Sequence, residues 1–176
     1  MEFPDKKYKI IYCDPAWSYN NKSLNRGGAL RHYPTMDIED IANLPVAEIS
    51  DDDCILFMWT TFPKIFESKQ VIDSWGFEYK TLGFVWVKKN KIADSNFWGM
   101  GRWTRSNAEV CLIAVKGKPK RLSAKVHSVI ESKIEKHSKK PDIVRDKIVE
   151  LIGDLPRIEL FAREKSKGWD SWGNEL

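Results

Sequence analysis

The sequence predicts an α/β domain with a mostly parallel twisted sheet, and three observations predict it. Short continuous apolar runs alternate along the chain with stretches of helical period. One run, Cys54-Ile55-Leu56-Phe57-Met58-Trp59, is apolar on both alternating faces, as a strand covered by helices on each side must be. Of the 176 residues 42% are apolar, enough for one core that is stable without disulfides or metal. The expected organisation is a single domain over 1–176, with no separate target-recognition domain.

The elements follow in order. Tyr8-Lys9-Ile10-Ile11-Tyr12-Cys13 reads as the first strand and stops at Asp14-Pro15, where a catalytic loop can start. Asp37 followed by Asp40 reads as an N-cap with a favourable first-turn charge, opening a short helix through Ile38, Ile41 and Leu44 that Pro45 closes. After the strand at 54–59, Phe62, Ile65, Phe66, Ile72 and Trp75 recur near helical spacing, with Gly76 where a C-cap belongs. Strands are expected at 81–87 and 108–115. Residues 142–152 make the best-marked helix, with Val144, Ile148, Leu151 and Ile152 on one stripe, Pro141 near its start and Gly153 after its end. Residues 157–162 read as the last strand. In such a sheet ligands bind at the carboxyl ends of the strands. Two connections, 18–34 and 89–107, are long for a compact domain, and loops of that length are usually functional or disordered.

Charge and cysteine usage narrow the function classes. Cys13, Cys54 and Cys111 each lie in an apolar run, and their odd number and scattered spacing suit core thiols, not a disulfide framework or a zinc site. His32, His127 and His137 show no metal spacing, so no metal is expected. No Gly-x-Gly-x-x-Gly occurs, which leaves dinucleotide and P-loop readings without support. No apolar run approaches the roughly 20 residues that span a bilayer and no signal-like leader opens the chain, so a cytoplasmic protein without membrane association is expected. The net charge is only +4, but residues 116–140 hold nine Lys or Arg against Glu131 and Glu135. That excess suits either a solvated face or a phosphate-neutralising surface that includes Lys118 and Lys120. The 89–107 loop mixes Lys89, Lys91, Arg102 and Arg105 with Phe97, Trp98 and Trp103. Cations beside exposed rings suit nucleic-acid backbone contact with base stacking, the alternative being rings tucked into the core.

Asp14-Pro15-Ala16-Trp17, directly after the first strand, carries the chemistry. Together with Tyr33-Pro34-Thr35-Met36, Trp86-Val87-Lys88, Val115-Lys116-Gly117-Lys118-Pro119, His137-Ser138-Lys139-Lys140-Pro141-Asp142 and the block from Glu159-Leu160-Phe161-Ala162-Arg163 to Trp172-Gly173-Asn174-Glu175-Leu176, it resembles the MT-A70 family of adenine N6-methyltransferases. The family signature is Asp-Pro-Pro-Trp, and Ala16 departs from its second proline. A proline there would restrict Pro15 to an extended backbone. The resemblance implies a Rossmann-like class I methyltransferase of permuted order, the catalytic motif preceding the cofactor motif, that uses S-adenosylmethionine as methyl donor.

What the resemblance implies for individual residues is consistent with the chemistry. The exocyclic amine of adenine is a poor nucleophile because its lone pair is delocalised into the ring. Two acceptors, the Asp14 carboxylate and the Pro15 carbonyl, would draw its N–H bonds so that the lone pair faces the methyl sulfonium. Trp17 would stack on the extruded base, and Tyr33 would hold its other side or edge. Asp14 also belongs to the implied cofactor site, with Lys140 on the methionyl carboxylate, Phe161 in apolar contact with the adenosine, and Arg163 and Asn174 on its polar groups. Glu175 stands where relatives often have glutamine; it accepts from ribose hydroxyls but cannot donate. DNA is the expected substrate, with RNA, or a catalytically silent nucleic-acid-binding subunit, as alternatives. In the family the 89–107 loop also forms protein interfaces, so a homodimer or heterodimer contact competes with nucleic acid for it.

Overall fold

Alternation along the first strand decides the layering. β1 (Tyr8–Cys13) sends Ile11 and Cys13 into one hydrophobic cluster and Ile10 and Tyr12 into another, one on each face of a sheet. This is a computed structural model in which residues 2–18, 35–101, 103–135 and 139–176 are described. The described chain continues through α1 (Ile38–Ala42), α2 (Val46–Ile49), β2 (Ser50–Thr60), a 3-10 turn (Phe62–Lys64), α3 (Ile65–Ser74), β3 (Glu78–Lys89), β4 (Ala108–Lys116), β5 (Val129–Lys133), α4 (Ile143–Ile152), β6 (Arg157–Leu160) and β7 (Asp170–Trp172). The strands form one seven-stranded sheet in the order β5-β3-β4-β2-β1-β6-β7. All of its pairings are parallel except the two made by β4, which runs against both β2 and β3.

The central strand behaves as its composition requires. Leu56 and Met58 of β2 join the cluster covered by α1, α2 and α3, through Ile41, Val46, Val71, Ile72 and Trp75. Ile55, Phe57 and Trp59 join the opposite cluster, under Val144, Ile148 and Ile152 of α4. Burying each such side chain contributes about 1.5–3 kcal/mol, so β1 and β2 with their helical covers dominate the stability of the fold. The three cysteines are buried and unbridged. No described helix is long and apolar enough to cross a membrane.

Differences from the sequence expectation have local causes. β2 extends past its apolar core because Ser50 pairs with Tyr8 across an irregularity that takes in Asp51–Asp53, and β3 because its ladder with β4 continues to Glu78. β5 lies within the basic segment and buries only Ile130 fully, as an edge strand can, so it carried no apolar run to read. β7 has three residues and α2 a single turn. The last main strand ends at Leu160, two residues short of expectation, because Phe161 turns into the left-handed region at φ 60°.

The reversal of β4 matters for function. It brings the start of β4, Ala108 and Glu109, to the pole of the sheet where β1, β2, β3 and β6 end, and carries Lys116 to the opposite pole, beside Cys54. The two poles are separated by the stretch of β2 from Cys54 to Thr60, about 20 Å at some 3.3 Å per residue.

Candidate active site at the carboxyl ends of the strands

Cys13 of β1 and Leu160 of β6 are partners in register, so the residues that follow them, Asp14 and Phe161, leave the sheet side by side. The catalytic and cofactor motifs, at opposite ends of the chain, therefore adjoin at one pole. Lys140 reaches the same point from the segment before α4. Its Nζ donates to Asp14 Oδ2 at 2.6 Å and lies 3.1 Å from Glu109 Oε2. Glu109 also accepts from Lys88 Nζ at the end of β3. The result is a partly buried cluster of two carboxylates and two ammonium groups, backed by the Trp59 ring 5.7 Å from Lys140 Nζ.

Burial and pairing divide the two carboxylates. Burial raises Asp14 above the ordinary carboxylate range; Lys140 opposes this and the nearby Glu109 charge adds to it. Burial would also raise Glu109, but Lys140 and Lys88 together outweigh it and hold its carboxyl at about 2. Lys140, which burial alone would deprotonate more easily, is held protonated by the two carboxylates. The cluster thus contains one carboxylate locked in its charged form and one, Asp14, poised closer to neutral pH.

Beneath it further contacts tie α4 to β6 and β1 to β2. Arg145 of α4 donates from Nε to Glu159 Oε2 at 2.6 Å and from Nη2 to Oε1 at 2.9 Å, a bidentate pair with little solvent access. Tyr12, in the strand that leads to Asp14, accepts from Trp59 Nε1 at 2.7 Å. These contacts set the direction in which β1 delivers Asp14.

The turn after Asp14 is tight. The Trp17 N–H donates to the Pro15 carbonyl at 2.8 Å, and the Met36 N–H donates to Ala16 at 2.9 Å. The Pro15 carbonyl keeps a second lone pair for another donor. Trp17, expected to stack on the base, has a side chain only 4% exposed in this structure, which sits in the core and donates from Nε1 to the Trp59 carbonyl at 3.2 Å. A ring so enclosed holds the catalytic turn onto β2 and presents no free face to a base. Tyr33 lies outside the described residues.

Around Phe161 the structure builds a cradle. Its ring meets Trp172 edge-on at 5.7 Å, and Ala162 N–H donates to the Trp172 carbonyl at 3.0 Å. Any Cβ on Gly173 would collide with the backbone of Ala162, so glycine is required for the two segments to approach. Arg163 Nε lies 3.5 Å from Glu175 Oε1, and Asn174 is exposed beside them. A non-glycine residue at positive φ costs about 1–3 kcal/mol and persists where surrounding structure imposes it, often at ligand sites. The donor set suits S-adenosylmethionine: Asp14 and Lys140 offer one acceptor and one donor for an amino-acid moiety, while Phe161 and the Arg163, Asn174, Glu175 group offer apolar and polar partners.

The expected nucleic-acid residues separate. Lys91, Trp103 and Arg105 are exposed on the loop that leaves the active-site pole, and Arg102 lies outside the described residues. Lys89 is engaged by Glu131 at 3.3 Å. Phe97 is half-buried, whereas Trp98 and Trp103 stand out in solvent, so the tucked-ring alternative does not describe the tryptophans. The structure also divides the basic segment 116–140: Lys118 and Lys120 lie at the far pole, where the Lys118 N–H donates to Asp53 Oδ1 at 2.6 Å, away from Asp14. Among its described residues, Lys139 and Lys140 border the site. Glu109 was missed from sequence. Its signal was an ionisable residue opening an otherwise apolar run, which reads as a strand boundary until the run is known to be reversed. Among the described residues no group of side chains is arranged to hold a metal ion.

Comparison with known proteins finds methyltransferases. The chain is 39% identical to the type II methyltransferase M.MunI of Mycoplasma sp, over 99% of this chain and 80% of that protein. It is 27% identical to the N(6)-adenosine-methyltransferase catalytic subunit METTL3 of Homo sapiens and 28% identical to the N(6)-adenosine-methyltransferase MT-A70-like protein of Drosophila melanogaster, over 97% of this chain in each case. It spans only 28% and 27% of those two longer proteins. The MT-A70 family pattern matches residues 8–175, and the chain belongs to the MT-A70 family.

Proposed function

We propose that the chain transfers the methyl group of S-adenosylmethionine to the N6 amino group of adenine in DNA. The observation that carries this reading is the placement of Asp14 beside Phe161 at the ends of paired strands, with Lys140 on the Asp14 carboxylate. S-adenosylmethionine supplies an electrophilic methyl group on a sulfonium.

The residues of the chain do the rest. Asp14 and the Pro15 carbonyl accept from the two N–H bonds of the amine and turn its lone pair toward the methyl group. Lys140 and Glu109 hold the Asp14 carboxylate in one orientation, which limits the reorganisation needed at the moment of reaction. After transfer the nitrogen must lose a proton, and Asp14, raised by burial, is the nearest base. Phe161 would provide apolar contact for the adenosine of the donor, and Arg163, Asn174 and Glu175 would contact its polar groups.

DNA is favoured because the relative matched over most of both chains is a type II methyltransferase. RNA is the second reading, favoured by the adenosine-specific relatives. A nucleic-acid substrate fits an intracellular protein, and we infer a cytoplasmic one. The intact Asp14–Lys140 pair argues against a catalytically silent subunit. Labelled methyl transfer to duplex DNA, single-stranded DNA and RNA, with the product nucleoside identified by mass spectrometry, tests the reaction. N6-methylated product that disappears in Asp14→Ala, while S-adenosylmethionine raises the Tm of the wild-type chain, is expected. Undiminished transfer by Asp14→Ala would overturn the assignment.

A further inference from the structure

We propose that the tongue at 90–107 is a wedge that enters duplex DNA and fills the gap left when the target adenine turns out toward Asp14. The inference rests on the reading of adenine in DNA as substrate and extends it to how the base is extracted.

Asp14 is recessed, with 23% of its side chain exposed and Lys140 behind it. An adenine stacked within a duplex cannot bring its amine to such a group, so it must leave the stack. Unstacking is unfavourable, and proteins that distort duplexes offset it by inserting apolar side chains between bases. The tongue is placed for that task. It leaves from the end of β3 and returns at the start of β4, the two points that supply Lys88 and Glu109 to the Asp14–Lys140 cluster.

Its surface has the required chemistry. Trp98 is 74% exposed, Met100 93% and Trp103 94%, although each would gain from burial. Lys91 and Arg105, both exposed, stand among these side chains. Cations interleaved with bared rings fit a polyanion with stackable bases better than an apolar protein surface. The tongue is also braced. Its base is closed by a Lys89–Asn96 bridge, by Phe97 N–H donating to the Lys88 carbonyl at 2.8 Å, and by Asn90 N–H donating to the Ser95 carbonyl at 2.9 Å. Beyond it, a Cβ on Gly99 or Gly101 would overlap the carbonyl oxygens of Ser106 and Thr104, so these glycines let the two sides of the tongue lie in contact. A stiff projection can push into a stack where a slack loop would fold back.

Fluorescence anisotropy with a labelled duplex, and with the same duplex carrying one internal adenine opposite an abasic position, tests the wedge without requiring methyl transfer. The wild-type chain should bind the abasic duplex about tenfold more tightly, since part of the unstacking is already done. Trp103→Ala should lose that preference, Trp103→Phe should keep part of it, and Phe66→Ala, another exposed ring on α3, should keep all of it. Trp103 is almost wholly in solvent, so its removal leaves the fold intact. No preference in the wild type, or an undiminished preference in Trp103→Ala, overturns the wedge. So does an equal loss of binding to single-stranded, paired and abasic DNA or to RNA, which would make Trp103 a stacking platform. Sedimentation supplies another arm: a dimer that dissociates on Trp103→Ala assigns the tongue to a second copy of the chain instead. A wild-type preference that Trp103→Ala abolishes, found together with no methyl transfer to any substrate, would refute the reaction and leave the wedge standing.

Discussion

Replacing Glu109 by glutamine tests the electrostatic design of the site through stability alone. Glu109 accepts from Lys88 and lies 3.1 Å from Lys140, and the two cations carry its carboxyl from 4.5 to about 2. At about 1.4 kcal/mol for each tenfold change in proton affinity, that depression stores on the order of 3 kcal/mol of folding stability at neutral pH. Because the folded value is the lower one, this stability is present above 4.5 and is lost as pH falls toward 2. Glu109→Gln should therefore lower the Tm by about 6–12 °C at pH 7, at roughly 2–4 °C per kcal/mol for a chain of this size. Urea unfolding of both proteins should show their difference shrinking by about 2 kcal/mol between pH 5 and pH 3. A difference that is constant across that interval, or below about 0.5 kcal/mol at pH 7, would refute the assignment of Glu109 as the locked carboxylate. The same variant has a kinetic signature. The Glu109 charge helps to raise Asp14, so its removal should move the acidic limb of methyl transfer to lower pH.

Three further outcomes follow from the geometry. Trp17→Ala should cost about 3–5 kcal/mol in urea unfolding, because a core ring bonded to the Trp59 carbonyl is removed; a loss below about 1 kcal/mol with slower methyl transfer would restore a stacking role. Gly173→Ala should cost about 1–3 kcal/mol and reduce the Tm rise produced by S-adenosylmethionine, since the new Cβ displaces the Ala162 backbone at the base of the cradle. In DNA binding, Lys91→Ala should reduce the slope of log K against log salt by about one phosphate contact, whereas Lys118→Ala at the far pole should leave it unchanged; equal effects would show that DNA wraps both poles.

The parts of this protein written in local sequence were those decided by local physics. The apolar runs at 8–13 and 54–59, the stripe on α4 and the Gly76 turn at φ 78° place strands and helices without knowledge of neighbours. The order of the motifs was legible too, since strand followed by Asp14-Pro15 and strand followed by Phe161 are chain-local patterns. Register between β1 and β6 was not, because it depends on hydrogen bonds between residues at opposite ends of the chain, and it is that register which makes the two motifs one site. The direction of β4 was equally invisible: its apolar run reads the same either way, yet reversal carries Glu109 to Asp14 and Lys118 away from it. Trp17 shows the same limit for a single side chain, since a tryptophan in a catalytic motif suits a stacking surface and a core anchor alike, and only the packing of β2 against it decided for the core. Sequence by itself determined which chemistry the chain carries and the elements that hold it. Tertiary structure decided which charges meet and which lie a sheet's height apart, because electrostatic coupling depends on distances that only the folded chain sets.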